Sequence, residues 1–324
     1  MAPTRNMQGA LYMVTAMASN SFGDALTKSV SSMMNAGQIM FLRGILTTML
    51  VYFLARKMGA LRSWSIMLQP MIMLRVIFEA FGAVAFVTAL GMMPLANAVA
   101  ILQALPLAVT LFAALFLKEP VGWRRWSAII LGLVGVLIII RPGREGFTVA
   151  TLLMLVSMFC TAGRDISTRF VDESIPSLMI TLCTASFMTV FGATLIVPLG
   201  GWQSLTAGVT TYIAFSAVMV LIGYQTGIQA MRVGDISVVV PFRYFSLIFS
   251  ALMGLIIFAE VPDFWTVSGS LIVIASGLFT FYRERVIPRV SGNTSIEGAG
   301  TRCADMGEKH RTRQAEGKVK RMRT

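Results

Sequence analysis

LKEPVGWRRWSAIILGLVGVLI (Leu117–Ile138) and FAEVPDFWTVSGSLIVIASGLF (Phe258–Phe279) carry one signature twice, their glutamates Glu119 and Glu260 standing 141 positions apart. Each runs from the glutamate to a tryptophan and, twelve residues later, to a glycine (Trp123 to Gly135, Trp265 to Gly277). The same offset reappears far upstream, where Asp24, Thr27, Lys28 and Val30 are matched by Asp165, Thr168, Arg169 and Val171. One displacement that relates both ends of so long a segment argues for duplication of a hydrophobic unit, the build of many membrane carriers.

Composition agrees. Hydrophobic residues make up 56% and charged residues 13% of the 324, against about 25% charged in an ordinary soluble domain. The net charge of +12 does not imply nucleic-acid binding. Eleven of the 27 basic residues lie at or beyond Arg283 and most others in short connections, which is how lysine and arginine are retained on the cytoplasmic side of a membrane. Cys160, Cys183 and Cys303 form no CxxC or CxxH pair, and the one histidine, His310, lies in the polar tail. No metal site, disulfide framework or cofactor is expected.

At 1.5 Å per residue a bilayer needs about 20 residues per crossing. Ten apolar runs meet or approach this: 8–29, 37–56, 71–91, 94–117, 124–140, 150–171, 178–199, 209–230, 236–258 and 265–282. The expected fold is therefore an all-α polytopic membrane protein of ten transmembrane helices. Arg56, Lys57 and Arg62, then Lys118, Arg124 and Arg125, then Arg232 and the tail mark one side, which places both termini in the cytoplasm. Five crossings per half is an odd number, so the second five-helix repeat enters upside-down and the repeats are inverted. Residues 7–142 form the first, 147–285 the second, and 286–324 a basic cytoplasmic tail without hydrophobic periodicity, expected to be disordered. The five tryptophans fall at run ends or in connections, where the ring suits the headgroup zone.

Two five-helix units, each closed by an apolar helix, a glutamate (Glu119 or Glu260) and a Trp-to-Gly helix, resemble the drug/metabolite transporter superfamily in its EamA-type ten-helix branch. The resemblance covers roughly residues 7–285. The stretch VVVPFRYFSLIFSALMGLIIFAEVPDFWTVSGSLIVIASGLFTFYRER (238–285) is similar to a bacterial metabolite-carrier subgroup that includes riboflavin and S-adenosylmethionine importers. The resemblance implies a multi-pass inner-membrane carrier for a small-molecule solute, with riboflavin the leading candidate, and not an enzyme. Export of amino acids or related metabolites is the alternative direction. A membrane receptor or a lipid-processing enzyme is the alternative class. The lipid bilayer is the other expected partner, and a homodimer is compatible with the sequence. There is no GxxxxGK[ST] loop to bind nucleotide.

An ionisable group at the bilayer centre costs about 2.5–3.5 kcal/mol, which marks such residues as functional candidates. Arg43 and Arg243 lie well inside runs two and nine, where a guanidinium fork suits an anionic or carbonyl-rich solute group. Gln103 and Tyr244, equivalent in the two halves, suggest a cavity lining, with Tyr224, Gln225 and Gln229 adding polarity to the eighth run. Arg75 and Glu79 are one helical turn apart and close enough to pair, as are Asp24/Lys28 and Asp165/Arg169. The last two pairs, at opposite membrane faces in an inverted duplication, are gate candidates; self-satisfied helix-end pairs are the plainer alternative. Glu119 and Glu260 sit just before each closing helix, where a carboxylate caps a helix N-terminus. Pro106 and Pro241 are expected to bend their helices.

Overall fold

The computed structural model describes residues 3–116, 122–141, 148–172, 174–234 and 236–286. Glu119 and the tail beyond 286 lie outside the described residues, as does the side chain of Arg169. Every described element is helical. The first half contributes α1 (Pro3–Ser31), α2 (Ala36–Lys57), α3 (Pro70–Leu90), α4 (Leu95–Leu102), α5 (Leu105–Phe116) and α6 (Trp123–Ile140). The second contributes α7 (Val149–Arg169), α8 (Ser177–Ile196), α9 (Ala207–Val233), α10 (Ile236–Val239), α11 (Phe245–Phe258) and α12 (Phe264–Val286).

Polar residues at the junctions start these helices. Asn35, Thr148 and Thr206 each accept a backbone N–H from three residues on (Gln38, Thr151 and Val209), and Pro70 opens α3, where its missing N–H costs nothing. Among the described residues, seven spans are long and apolar enough to cross a membrane, and two shorter apolar helices cover Trp126–Ile140 and Phe264–Phe279. Large apolar side chains such as Phe53 (62% exposed), Val190 (65%) and Ile256 (66%) cover the outer surface. In water such a surface would drive aggregation; in lipid it is the solvated face.

Two runs are broken in mid-course. Pro106 has no N–H for the carbonyl of Leu102, and the chain turns at Gln103–Ala104 between α4 and α5. Pro241 does the same in the second half, where a 3₁₀ turn over Val240–Tyr244 separates α10 from α11. Both prolines act as the sequence suggests.

Helices of one half pack on helices of the other. The pairs are α1 with α9, α2 with α8, and α3 with α7. Along α1 and α9 the chains run antiparallel: Gly9 meets Gly234, Asn20 meets Gly223, and Thr27 Oγ1 and Ser216 Oγ share a hydrogen bond of 2.9 Å. Along α3 and α7, Gly82 meets Cys160, Gly163 meets Phe78, and Arg75 Nε donates to Thr168 Oγ1 at 3.0 Å. Adding 141 to Thr27 gives Thr168, and adding 141 to Arg75 gives Ser216. The two interfaces are thus built from equivalent positions with the halves exchanged. Where α2 crosses α8, a Cβ on Gly44 would lie 3.0 Å from Thr189 Cα, so these backbones approach as closely as glycine allows.

Candidate functional site

A cavity of about 100 Å³ lies between α2, α3, α8 and α9. Arg43, Thr47, Arg75, Glu79, Thr184 and Tyr224 give it its polar lining, with Met40, Val51, Met188 and Leu221 among the apolar groups. Each wall helix contributes at least one polar residue to this lining while its outer face carries exposed apolar side chains, such as Phe53 on α2 and Val190 on α8.

Arg75 is 8% exposed. Its Nε donates to Thr168 Oγ1 and its Nη1 to Thr184 Oγ1 at 2.5 Å. Glu79, one turn on, does not pair with it as the spacing suggests. Arg164 on α7 takes that place: its Nη1 reaches both Glu79 oxygens, at 3.2 and 3.1 Å. The same guanidinium gives Nε and Nη2 to Asp165 Oδ1 at 2.9 and 2.7 Å. Arg164 therefore bridges two carboxylates, which explains how both acids persist in an apolar setting. Sequence reasoning missed Arg164; its signal is a third ionisable residue inside the run 150–171, beside Asp165.

Arg43 makes only a long contact, Nη1 to Thr27 Oγ1 at 3.4 Å. Asp24, Tyr224 and Glu79 are the groups whose charge or dipole bears on it. Tyr224 lines the same cavity as Glu79 and Arg75.

A second polar cluster closes the end of the bundle opposite the 57–70 connection. Lys28 Nζ donates to Glu260 Oε1 at 2.5 Å and to the Met93 carbonyl at 2.8 Å, and it sits 4.8 Å from the Phe258 ring centre. The expected Lys28–Asp24 pair is replaced by this contact across the two halves. Glu260 Oε2 also accepts the N–H of Leu95, the first residue of α4. The carboxylate does cap a helix, but not the one that follows it. Asp263 fills that role, its Oδ1 accepting Thr266 N at 3.0 Å. The matching contacts of Glu119 and Arg169 fall outside the described residues.

Gln103 and Tyr244 do meet, but through Gln103 Nε2 and the Tyr244 carbonyl at 3.5 Å, with a stronger bond to Ser246 Oγ at 2.9 Å. They tie the two helix breaks together outside the cavity. Gln225 and Gln229 are also outside it. Arg243 is exposed, off the cavity, and without an ion pair among the described residues.

Residues 7–141 match the EamA-like transporter family. The first half of the chain is thus similar to an EamA-like transporter domain. The relatives extend the similarity past it. An S-adenosylmethionine uptake transporter of Rickettsia bellii is 24% identical over 86% of this chain and 94% of its own length. The pseudopaline exporter of Pseudomonas aeruginosa is 27% identical over 83% of this chain and 94% of its own. A riboflavin transporter of Vibrio cholerae is 29% identical over 64% of this chain and 70% of its own. One solved crystal structure shares the fold, with a TM-score of 0.59 and 17% identity over 87% of this chain and 100% of that one. The chain is thus a membrane protein similar to small-molecule transporters, and its relatives are transporters rather than enzymes.

Proposed function

We propose that this EamA-like protein is a secondary carrier that moves a small organic metabolite across the bacterial inner membrane by alternating access. Its ten helical runs cross the bilayer as two inverted five-helix repeats, 7–142 and 147–285, with both termini and the 286–324 tail in the cytoplasm. Support for the inverted duplication comes from the contacts at the repeat offset: Thr48 Oγ1 with Thr189 Oγ1 at 3.3 Å and Gln103 with Tyr244 are each 141 positions apart. Positions that repeat each other and also touch each other lie on a two-fold axis between the halves.

The observation that carries the carrier reading is the charged cavity shared by both halves, α2 and α3 from the first, α8 and α9 from the second. Charges at this depth are expensive unless they face a cavity or one another. The Lys28–Glu260 ion pair ties the two halves together at the end opposite the 57–70 connection, which supports a cycle in which the ends open in turn. The cavity is smaller than the roughly 300–1,000 Å³ of sites for drug-sized ligands, as befits a contracted state.

Uptake of a cofactor-like solute is the leading direction. Both candidates from the sequence, riboflavin and S-adenosylmethionine, are the named solutes of relatives, and the S-adenosylmethionine transporters cover more of this chain. Export is the second reading, favoured by the likeness to the pseudopaline exporter. Uptake of labelled riboflavin and labelled S-adenosylmethionine by bacteria lacking their own carriers tests the leading reading. Saturable accumulation of either, dependent on this protein, supports it; no accumulation of either by a correctly inserted protein rejects import and favours efflux.

A further inference from the structure

Three charged side chains line the cavity, Arg43, Arg75 and Glu79, and Arg164 and Asp165 continue from Glu79 behind it. Their contacts do not distribute evenly. Arg164 is engaged by both Glu79 and Asp165 and leaves that trio one negative charge in excess. Arg43 and Arg75 have no carboxylate within 4.0 Å among the described residues. Arg75 spends two N–H groups on neutral threonine hydroxyls, and Arg43 has one long hydroxyl contact. The lining therefore offers two guanidiniums with no carboxylate in direct contact among the described residues, beside a Glu79 carboxylate that belongs to a trio with one negative charge in excess.

Such a lining discriminates by charge separation within the solute. A cation alone would meet two guanidiniums, and an anion alone the Glu79 carboxylate. An uncharged solute would leave both guanidiniums without a charged partner in a water-poor space. A molecule with a carboxylate beside a cationic group satisfies both walls at once. We propose that this protein recognises its solute through a zwitterionic head, the carboxylate held by the forks of Arg43 and Arg75 and the cationic centre facing Glu79. The fork geometry of guanidinium suits two-point binding of a carboxylate. The cavity in this state takes such a head and not a whole cofactor. Tyr224 and the Thr184 hydroxyl complete the polar wall around it.

The proposal rests on the carrier reading and deepens it. It is tested on the purified full chain in lipid nanodiscs by thermal stabilisation and competition binding. The probes are S-adenosylmethionine, its decarboxylated form, the twenty amino acids with their decarboxylated amines, and riboflavin. At least one zwitterion is expected to bind, and its decarboxylated partner to bind at least tenfold more weakly. Arg43→Gln and Arg75→Gln are each expected to weaken the zwitterion at least tenfold, with Arg243→Gln, off the cavity, leaving binding unchanged. The matched-ligand comparison needs no variant and holds even if Arg75→Gln fails to fold. Equal binding of a zwitterion and its decarboxylated amine overturns the proposal, as does binding of riboflavin alone or of no zwitterion. Riboflavin uptake in cells without zwitterion binding would overturn this proposal and leave the carrier reading standing; no flux of any probe would remove both.

Discussion

Thr48 on α2 and Thr189 on α8 face each other with their hydroxyl oxygens 3.3 Å apart, although 141 residues separate them in the chain. Their separation equals the spacing of the duplicated signature, so each threonine meets its own counterpart. Two helices that cross at equivalent positions rely on small residues there. A Cβ on Gly44 would lie 2.5 Å from Thr189 Oγ1, and one on Gly192 would lie 2.7 Å from Phe41 N.

Gly192→Val is therefore expected to force α2 and α8 apart. Overpacking of this kind costs about 1–3 kcal/mol, and the thermal unfolding midpoint of the purified protein should fall by several degrees. An unchanged midpoint would mean that the crossing is looser than its backbone contacts indicate.

Arg164 is expected to matter more for folding than either acid it binds. Removing it strands two partly buried carboxylates, a loss of about 3–5 kcal/mol for a broken buried pair, whereas Glu79→Gln leaves Arg164 still held by Asp165. Arg164→Met should reduce the yield of folded protein severely and Glu79→Gln mildly, as read by size-exclusion profile and thermal midpoint. Arg164→Lys should not rescue, because one ammonium cannot reproduce the fork that spans both acids.

Lys28 and Glu260 are expected to act as one unit. Glu260→Gln keeps an acceptor for the Leu95 N–H and removes the charge pairing together with the acceptor that Lys28 Nζ uses. Solute flux should fall at least fivefold in Lys28→Met and in Glu260→Gln, and the double variant should be no worse than either single one. Additive losses in such a cycle would show that the two residues serve separate purposes.

Arg243→Gln is expected to leave flux within about twofold of the parent, since an exposed side chain away from the cavity loses no ionic partner. The sequence recommends Arg243 by its depth in the ninth run and its guanidinium fork, whereas the cavity lining does not include it. A large rise in the half-saturating concentration would restore Arg243 to the binding site.

Helix positions were legible because lipid imposes them: a crossing needs a long apolar run whatever its neighbours, and Pro106 and Pro241 break their runs by local chemistry. The offset of 141 was legible because both halves kept enough of it at Asp24, Thr27, Lys28 and Glu260. Charge pairing was not. Same-helix neighbours such as Arg75 and Glu79 gain only about 0.2–0.5 kcal/mol from each other, so a bidentate partner from another helix outcompetes them. Arg164 reaches Glu79 across 85 positions, and Lys28 reaches Glu260 across 232. No periodicity in one strand of sequence encodes such distances; only the exchange of halves does, and it becomes readable once α1 is seen on α9 and α3 on α7.

The most direct measurement is counterflow in proteoliposomes. Vesicles holding the purified chain are loaded with unlabelled S-adenosylmethionine or riboflavin and diluted into the labelled form, which reports exchange regardless of the physiological direction. Transient accumulation of label that requires the internal solute and is lost in Arg43→Gln is the expected result. No exchange of either solute by folded, inserted protein, or exchange indifferent to Arg43 and Arg75, would contradict a carrier that works through this cavity.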